Sequence, residues 1–310
     1  ADIIQVDVDR YLYLHRVDIH PFRWFQIGCM EGALINKPLE LRFMNPFMIM
    51  HSMAYWHSYD AVSDYGESDS CAYLCFDADA ALGKYVRLYG LYAQNEIQMP
   101  WETQGTVGKT IPNSLGCQIG IDVDVPSNRD GYWYGGLEGL YTTPWLYIKQ
   151  TPDWSLCRAR KDELVSGDRT VNTWMGTQFG PDSIVAQLRA GYRKTGVWLA
   201  EFQYLFAVQG KNSQFSIFQK DVSGIYRYYP STIYHDGKNA EEAIALAQDT
   251  TPTGTAQFTN RVLVKGEYAF TPWLTCAAQA SVAAVNNCGH IEHNFRCGTE
   301  LALSVSFSLM

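Results

Sequence analysis

The stretch from Cys288 to Cys297, CGHIEHNFRC, holds the densest set of side chains that could ligate a metal or form a covalent bond. Cys288, His290, His293 and Cys297 offer two sulfurs and two nitrogens, which are ligand types of structural zinc sites. The spacing differs from that of a zinc finger, and the flanking residues alternate as in two β-strands. We therefore expect no metal and predict a disulfide between the two cysteines, as forms in oxidising compartments. A zinc site is the alternative.

A second set of candidates consists of polar residues within or beside strand-like runs. The candidate ligand-binding residues are Glu31, Arg42, Asn45, Glu96, Glu138 and Arg189. Charged side chains in the middle of alternating strands suit a water-filled lumen better than a sheet face that is simply exposed to solvent. They could contact a sugar or an ion, or they could pair with one another and rigidify a narrow lumen. For most of them ion pairing is the expected role.

Other chemistry receives no support from the sequence. It contains neither a GxSxG motif nor a Walker loop. A catalytic triad can assemble from distant residues, but no local motif pairs a histidine with a serine or an aspartate. The formal net charge of -8 disfavours nucleic acid as a partner. We expect a non-enzymatic protein without a cofactor.

The elements that must position these candidates are strands with two different faces. In the final run, TELALSVSFSLM, apolar residues occupy every second position, and the residues between them are small or polar. The same alternation runs through Ile184 to Tyr192 and Trp198 to Val208. These runs reach about ten residues, the length that crosses a bilayer, whereas strands of soluble sheets average about five or six. Repeated long alternation favours a membrane barrel.

The connections between the runs support that architecture. Short turns are expected at Pro21 and Phe22, Gly83 and Lys84, Ser127 to Gly131, Thr195 and Gly196, and Thr271 and Pro272, and longer external loops at Ser58 to Ser68 and Asp153 to Val171. The sequence thus predicts an all-β fold: one transmembrane antiparallel β-barrel of about 12 strands (range roughly 10–16) over residues 1–310. The apolar face would meet lipid. A soluble β-sandwich or jelly roll also alternates and is the alternative.

Two segments break the alternation. Residues 39–59 include Asn45 as a plausible helix N-cap, Pro46 at a first helical position, and many large apolar side chains. This segment is predicted to form a short inward helix or plug within the lumen. Residues 211–256 are predicted to form a long loop with a short helix that starts after Asn239, since acidic residues and an alanine-rich stem follow it.

Four motifs resemble the capsule-assembly Wzi family of outer-membrane barrels. They are PLELRFMNPF (Pro38 to Phe47), YGLYAQNEI (Tyr89 to Ile97), LEGLYTTPWLY (Leu137 to Tyr147) and MGTQFGPDS (Met175 to Ser183), in the family's order. In the second motif Asn95 replaces one acid of the family's pair, and Glu96 keeps the other. The resemblance covers roughly Tyr11 to the C-terminus.

The resemblance implies a porin-like protein of the bacterial cell outer membrane that binds or organises surface polysaccharide. Its partners would be outer-membrane lipid and lipopolysaccharide, the polysaccharide, and other proteins of the cell envelope. Two further functions fit the same barrel: a structural subunit that anchors a larger envelope or secretion complex, and a channel for small solutes. A plugged lumen would argue against the channel.

Overall fold

The computed structural model describes residues 10–35, 39, 41–45, 70–97, 105–128, 130–162, 169–219, 221–224, 226–235 and 239–308. Its strands in chain order are β1 (Tyr11–Phe22), β2 (Phe25–Ile35), β3 (Ser70–Leu82), β4 (Val86–Glu96), β5 (Ser114–Ser127), β6 (Gly131–Thr142), β7 (Cys157–Asp162), β8 (Arg169–Trp174), β9 (Ser183–Lys194), β10 (Trp198–Gln209), β11 (Gln257–Thr271), β12 (Leu274–Asn286) and β13 (Arg296–Phe307). The strands β7 and β8 form a separate hairpin, and the other 11 form one sheet. The predicted antiparallel all-β class is confirmed.

The large sheet follows chain order from β1 to β13, with β9 beside β6, and every neighbouring pair is antiparallel. Because the sheet has 11 strands, β1 and β13 run in the same direction. Among the described residues these two edge strands are not paired with each other. The structure therefore establishes a large antiparallel sheet, and closure into a barrel remains a prediction.

The two ends of the sheet carry different connections. Residues 23–24, 83–85, 195–197 and 272–273 make tight turns at one end, here called the turn end, where Ser127 of β5 also pairs with Gly131 of β6. Gly83 and Gly196 occupy these turns with a φ of 72°, a left-handed conformation that glycine adopts without steric cost. At the opposite end, here called the loop end, β2, β4, β6, β10 and β12 end, and the chain passes into its long connections.

Residues that face each other across two strands share one face of the sheet. On one side Phe202 pairs with Val264, and Ala278 pairs with Leu303. On the other side Glu201 pairs with Lys265. The predicted alternation thus gives a continuous apolar face and a continuous polar face. The apolar face is open to the surroundings: Leu303 is 85% exposed and Ile119 is 70% exposed.

Helices are short and lie outside the sheet. They are α1 (Thr106–Lys109), α2 (Pro230–His235) and α3 (Ala240–Ala247). The helix α3 begins after Asn239, as predicted, with Glu241 and Glu242 in its first turn, where acids favour the helix dipole. No helix in the described ranges has the length and apolar character needed to span a membrane.

The predicted plug segment, 39–59, is described only in part. Its 3-10 turn, Leu41–Met44, packs through Phe43 against Tyr13, Ala33 and Ile35. Tyr13 and Ala33 face each other on the apolar side of the sheet, so the described part of the segment lies away from the polar face. Residues 46–59 lie outside the described residues.

Candidate functional site

Polar side chains lie flat along the polar face and reach across an intervening glycine. The guanidinium of Arg16 on β1 contacts the carboxylate of Asp77 on β3 at 2.8 Å, and Gly28 of β2 lies beneath that contact. A Cβ atom at Gly28 would lie only 2.5 Å from the Arg16 guanidinium and from the Asp77 carboxylate. The glycine therefore leaves the space in which these two side chains meet, and a larger residue would displace them.

The same arrangement recurs on neighbouring strands. The Tyr89 hydroxyl donates to Glu138 across Gly120 at 2.8 Å. The Tyr134 hydroxyl likewise donates to Glu201 at 2.6 Å, with its ring over Gly191. Tyrosines on one strand thus bind carboxylates two strands away, because the strand between them presents no side chain.

Two ion pairs lie beside these contacts, and together they form what is here called the polar wall. Arg189 contacts Asp122 at 3.3 Å across Gly136, and Arg261 contacts Glu300 at 2.9 Å beside the small residue Ser281. Arg189 and Arg261 are 51% and 38% exposed, so each pair contributes little to stability. Their effect is to satisfy the charges of the polar face within the sheet. For Arg189, the geometry fits the ion-pairing role.

A cap covers the polar face at the loop end. The cap is formed by the described parts of residues 143–182 and 210–256. It has its own hydrophobic core, in which Trp145 and Ile148 pack against Ile217 and Tyr229. The Trp145 indole also donates to the carbonyl of Leu246 in α3, at 3.1 Å, so the two connections form one layer.

Asp182 ties the cap to three strands. Its carboxylate is fully buried and accepts a hydrogen bond from the backbone N–H of Asn212 at 3.1 Å. It also accepts hydrogen bonds from the backbone N–H of Thr253 at 3.1 Å and from the Thr253 hydroxyl at 2.5 Å. Its backbone carbonyl accepts from the Gly210 amide at 2.8 Å. Gly210 and Asn212 follow β10, Thr253 precedes β11, and Asp182 precedes β9. The carboxylate thus fixes the relative positions of these three strand ends.

An ion pair between Lys149 and Glu96 joins the cap to β4 at 2.7 Å. A register shift between Gln94 and Glu96 alters the strand's alternation just before the cap. The Lys149 ammonium is largely buried, and burial alone would lower its pKa. The Glu96 carboxylate outweighs that effect and holds the pKa of Lys149 above its ordinary value, so the ammonium stays charged.

Arg10 joins the cap to the start of β1. Its guanidinium donates to the carbonyls of Pro152 at 3.2 Å, Ser155 at 3.1 Å and Cys157 at 2.5 Å. In a flat sheet β1 and β6, with four strands between them, would lie about 24 Å apart. The residues that follow β6 cross that width, since Pro152 contacts Arg10 at the start of β1.

A cavity of about 530 Å³ lies between the polar face and the cap. Strand β1 contributes Leu12 and strand β9 contributes Gln187, although five strands separate them in the sheet. Those strands would be about 29 Å apart in a flat sheet, so a cavity that touches both favours a curved sheet with its polar face on the concave side. From the cap, Leu146, Tyr147 and Leu156 line the cavity.

The six predicted ligand-binding residues do not form one site. Glu138 lines the cavity, Glu96 pairs with the cap, and Arg189 pairs with the wall. Glu31 pairs with His15 and Leu74 on the apolar side of the sheet, so its predicted lumen position is wrong. Successive side chains of a strand alternate between the faces, so Glu31 shares its face with Ala33, whereas Leu34 lies on the polar face. Arg42 lies in the 3-10 turn and Asn45 follows it. That turn packs on the apolar side through Phe43, so Glu31 and the turn lie on the opposite face of the sheet from Glu138.

The predicted disulfide is also wrong. Cys288 and Cys297 are both free thiols. The loop is closed instead by hydrogen bonds: the Cys288 amide donates to the Asn294 carbonyl and the Asn294 side chain donates to the Cys288 carbonyl, both at 2.8 Å. Cys297 lies farther along, in β13 opposite Ala284.

The histidines of this loop point to different places. His290 contacts the carbonyl of Thr255 at 2.8 Å through Nδ1, and the His293 side chain is 91% exposed. In the part of the chain that the structure describes, no three His, Cys, Asp or Glu residues are grouped to hold a metal ion. The stretch that holds the densest set of possible metal ligands in the sequence is thus a hydrogen-bonded loop between two strands.

Three residues of the site are not predicted by any pattern in the sequence. Asp182, Lys149 and Arg10 act through contacts far apart in sequence, although Asp182 lies within the motif MGTQFGPDS. Glycines at polar-face positions were the available signal for the wall, because each allows a long polar side chain to cross it.

No family model matches the sequence, and no curated protein matches it. The resemblance of four motifs to the Wzi family therefore stays a prediction. The sheet, the cap and the cavity are the observations on which a function can be based.

Proposed function

We propose that this chain is a non-enzymatic β-barrel of the bacterial outer membrane that binds or organises surface polysaccharide at its capped end. The observation that carries the proposal is the cap, which covers the polar face at the loop end and is tied to β1, β4 and β9. A barrel closed in this way would conduct poorly. Binding is therefore favoured over general diffusion of solutes.

The apolar face supports a membrane location. Its exposed leucines, such as Leu301 at 81%, belong to one contiguous apolar surface, whereas a soluble protein exposes apolar side chains mostly singly or in small patches. The strands are joined by short connections at the turn end and by long connections at the loop end, the asymmetry of outer-membrane barrels.

Aromatic side chains at the turn end support the same location. Trp24, Trp133 and Trp273 are each at least 50% exposed there. Trp273 stacks on Phe307, with ring centroids 6.3 Å apart. Tryptophan is enriched where membrane meets water, because its ring suits lipid and its N–H suits the headgroup region. These residues would form the girdle at one membrane surface.

The outer surface of the cap at a small aromatic depression, which itself has room for only about 10 Å³, is the proposed polysaccharide contact. Trp145, Phe218, Tyr226, Tyr228 and Tyr229 surround it, together with Gln150. Phe218, Tyr226 and Gln150 are partly exposed. Aromatic faces suit the apolar faces of pyranose rings, and the amide of Gln150 can hydrogen-bond to hydroxyl groups.

The test is binding of surface polysaccharide, extracted from the organism that carries the gene, to the protein in detergent micelles. A Tyr226→Ala, Gln150→Ala double variant should bind roughly tenfold more weakly, since it loses one stacking and one hydrogen-bonding group. Tyr85→Ala is the matched control, because Tyr85 is 46% exposed but lies at the turn end. Equal binding by the double variant, or none by the intact protein, would exclude the proposed role.

A further inference from the structure

Glu138 lies in the cavity between the sheet and the cap without a cation beside it. It is the one acid among the described residues that line the cavity, and these include no lysine, arginine or histidine. Its Oε2 accepts a hydrogen bond from the Tyr89 hydroxyl at 2.8 Å, and its side chain is partly exposed. A carboxylate in such a cavity loses part of its hydration, and the lining supplies no cation to offset that loss.

The arginines on nearby strands of the polar face are already paired with other carboxylates. Arg87 on β4 contacts both Asp79 and Asp122, and Arg189 on β9 contacts Asp122 at 3.3 Å. Arg189 pairs with the position two residues before Glu138 on β6. With Glu138, this part of the polar face therefore holds three carboxylates and two guanidinium groups. One negative charge is left over, and it lies in the cavity.

A second carboxylate of the same face shows the contrast. Glu201 accepts a hydrogen bond from the Tyr134 hydroxyl, as Glu138 does from a tyrosine, but it lies directly opposite Lys265 in the strand pair β10–β11. Glu138 instead lies opposite Gln187, an uncharged side chain. The position of the missing cation is therefore specific to the cavity.

Two glutamines surround Glu138 on the polar face. Gln187 on β9 lies directly opposite it, and Gln118 on β5 lies diagonal to it, because Glu138 itself pairs with Gly120. Opposite positions are about 5 Å apart at Cβ and diagonal ones about 7–8 Å, distances that long side chains span. Both glutamines line the cavity and are partly exposed, and among the described residues neither side chain forms a hydrogen bond. Their amide oxygens are available as acceptors beside the carboxylate.

The other glutamines and the threonines of the lining are uncharged and lie elsewhere. Gln94 accepts a hydrogen bond from the Tyr92 hydroxyl at 2.7 Å, and the Thr142 hydroxyl is bound to backbone groups. Thr177 and Gln178 belong to the cap, and Gln178 is exposed. They can hydrogen-bond to a second polar group of a ligand, but they do not change the charge that the ligand must carry.

The rest of the cavity suits an apolar body. The large apolar side chains that line it are Leu12, Met30, Leu91, Leu140, Leu146, Leu156, Met175 and Phe179. The volume of about 530 Å³ falls within the range of roughly 300–1,000 Å³ that small-molecule sites occupy. Other residues of the cap form the aromatic depression, so a ligand in the cavity is distinct from the polysaccharide proposed above.

We infer that the cavity binds an organic cation, namely an ammonium group on an apolar body, and that the ammonium donates to the Glu138 carboxylate and to the amide oxygens of Gln118 and Gln187. A primary ammonium has three N–H donors and no acceptor, which matches one carboxylate and two amide oxygens. The apolar body packs between the leucines of the sheet and those of the cap. An anion would meet the Glu138 carboxylate with no opposite charge in the lining.

Three probes of nearly equal size test this inference on the intact chain in nanodiscs of zwitterionic phosphatidylcholine. At pH 7 benzylamine is a cation, benzyl alcohol is neutral and benzoate is an anion. Equilibrium dialysis against empty nanodiscs corrects for partition into lipid. We expect benzylamine to bind about tenfold more tightly than benzyl alcohol, because its hydrogen bonds to the carboxylate join opposite charges, and benzoate to bind more weakly than either.

The charge is tested by Glu138→Gln. This change keeps an acceptor for the Tyr89 hydroxyl but removes the negative charge, so benzylamine should bind no more tightly than benzyl alcohol. Glu201→Gln is the matched control, since it removes a tyrosine-bound carboxylate of the same face that does not line the cavity, and the preference for benzylamine should remain. A double variant, Gln118→Leu with Gln187→Leu, should weaken benzylamine binding about three- to tenfold.

The location is tested by filling the cavity. Ala93 lines it, so Ala93→Trp should abolish benzylamine binding. Ala280→Trp is the control, because Ala280 is exposed on the apolar face opposite Leu301. This pair of variants decides whether the cavity is the site even if Glu138→Gln fails to fold.

The inference is overturned if no probe binds above empty nanodiscs, if benzyl alcohol or benzoate binds as tightly as benzylamine, or if Ala93→Trp binds benzylamine as the unchanged chain does. A preference for benzylamine that persists in Glu138→Gln would also overturn it. Unchanged binding by the double glutamine variant would exclude the role of the amides. Polysaccharide binding is measured separately and can fail or succeed without changing these outcomes.

Discussion

At the turn end of the sheet, connections such as 83–85 and 195–197 join strands that are neighbours in sequence, and exposed tryptophans surround them. At the loop end, residues that are far apart in sequence meet: Arg10 binds Ser155 and Asp182 binds Thr253. The turn end is thus built from local contacts and the loop end from long-range ones. The pairing of neighbouring strands can therefore be specified by short stretches of sequence. Covering the polar face requires contacts that join distant parts of the chain.

Loss of the Asp182 carboxylate should have the largest effect on this contrast. Asp182→Ala would leave the Asn212 amide and both Thr253 donors without their acceptor. Buried unpaired donors cost about 1–3 kcal/mol each, so we expect the free energy of unfolding to fall by about 4 kcal/mol. Urea unfolding in detergent micelles measures it. Asp130→Ala, at a side chain 90% exposed at the turn end, should change it little; equal losses would refute the contrast.

The second largest loss in the free energy of unfolding is expected when the ion pair between Lys149 of the cap and Glu96 of β4 is broken. Lys149→Met should lower the free energy of unfolding by about 3 kcal/mol, because Glu96 keeps a poorly solvated charge without a partner. A double variant, Lys149→Met with Glu96→Gln, should lose less than the sum of the single changes. Strict additivity in urea unfolding would show that the two side chains do not interact.

The same ion pair predicts a dependence on alkaline pH. The pKa of Lys149 is raised in the folded protein above its value in the unfolded chain, about 10.4. Its contribution to stability is therefore fully present below about pH 10 and is lost as pH rises through the raised pKa. The stability difference between the unchanged chain and Lys149→Met should shrink above that range. A difference that stays constant to the highest pH at which the chain remains folded would contradict this assignment.

The strand pattern could be predicted from the sequence, and the loop end could not. Alternation in Trp198 to Val208 places polar and apolar residues on opposite faces because a strand has a period of two. Such patterns do not show which distant segments meet, so the pairing of Lys149 with Glu96 left no local signal. Glu31 was misplaced because one step of register moves a side chain to the other face.

A smaller effect is expected from the glycines of the polar wall. A Cβ atom at Gly120 would lie 2.2 Å from the Tyr89 ring, so Gly120→Ala should displace that ring from Glu138. We expect a loss of about 1–3 kcal/mol in urea unfolding. Gly266→Ala is the matched control, since no atom lies within 4 Å of its added Cβ. If both variants unfold alike, side-chain crossing does not explain these glycines.

The smallest effect concerns the cysteines of the last hairpin. Because Cys288 and Cys297 are free thiols, Cys288→Ser should shift the free energy of unfolding by about 0.5 kcal/mol or less. Mass spectrometry of a non-reduced digest should find both thiols in the unchanged chain. A linked peptide pair would restore the disulfide that the sequence first suggested.

Single-channel conductance in a planar bilayer tests the central claim most directly, namely that the cap closes the polar interior of a membrane barrel. The intact chain should insert and conduct poorly, and a variant with residues 144–181, which carry the cap residues that line the cavity, replaced by a short linker should conduct far more. The variant retains the strands on both sides of the replacement, β6 and β9. Steady porin-like conductance by the intact chain would contradict the account.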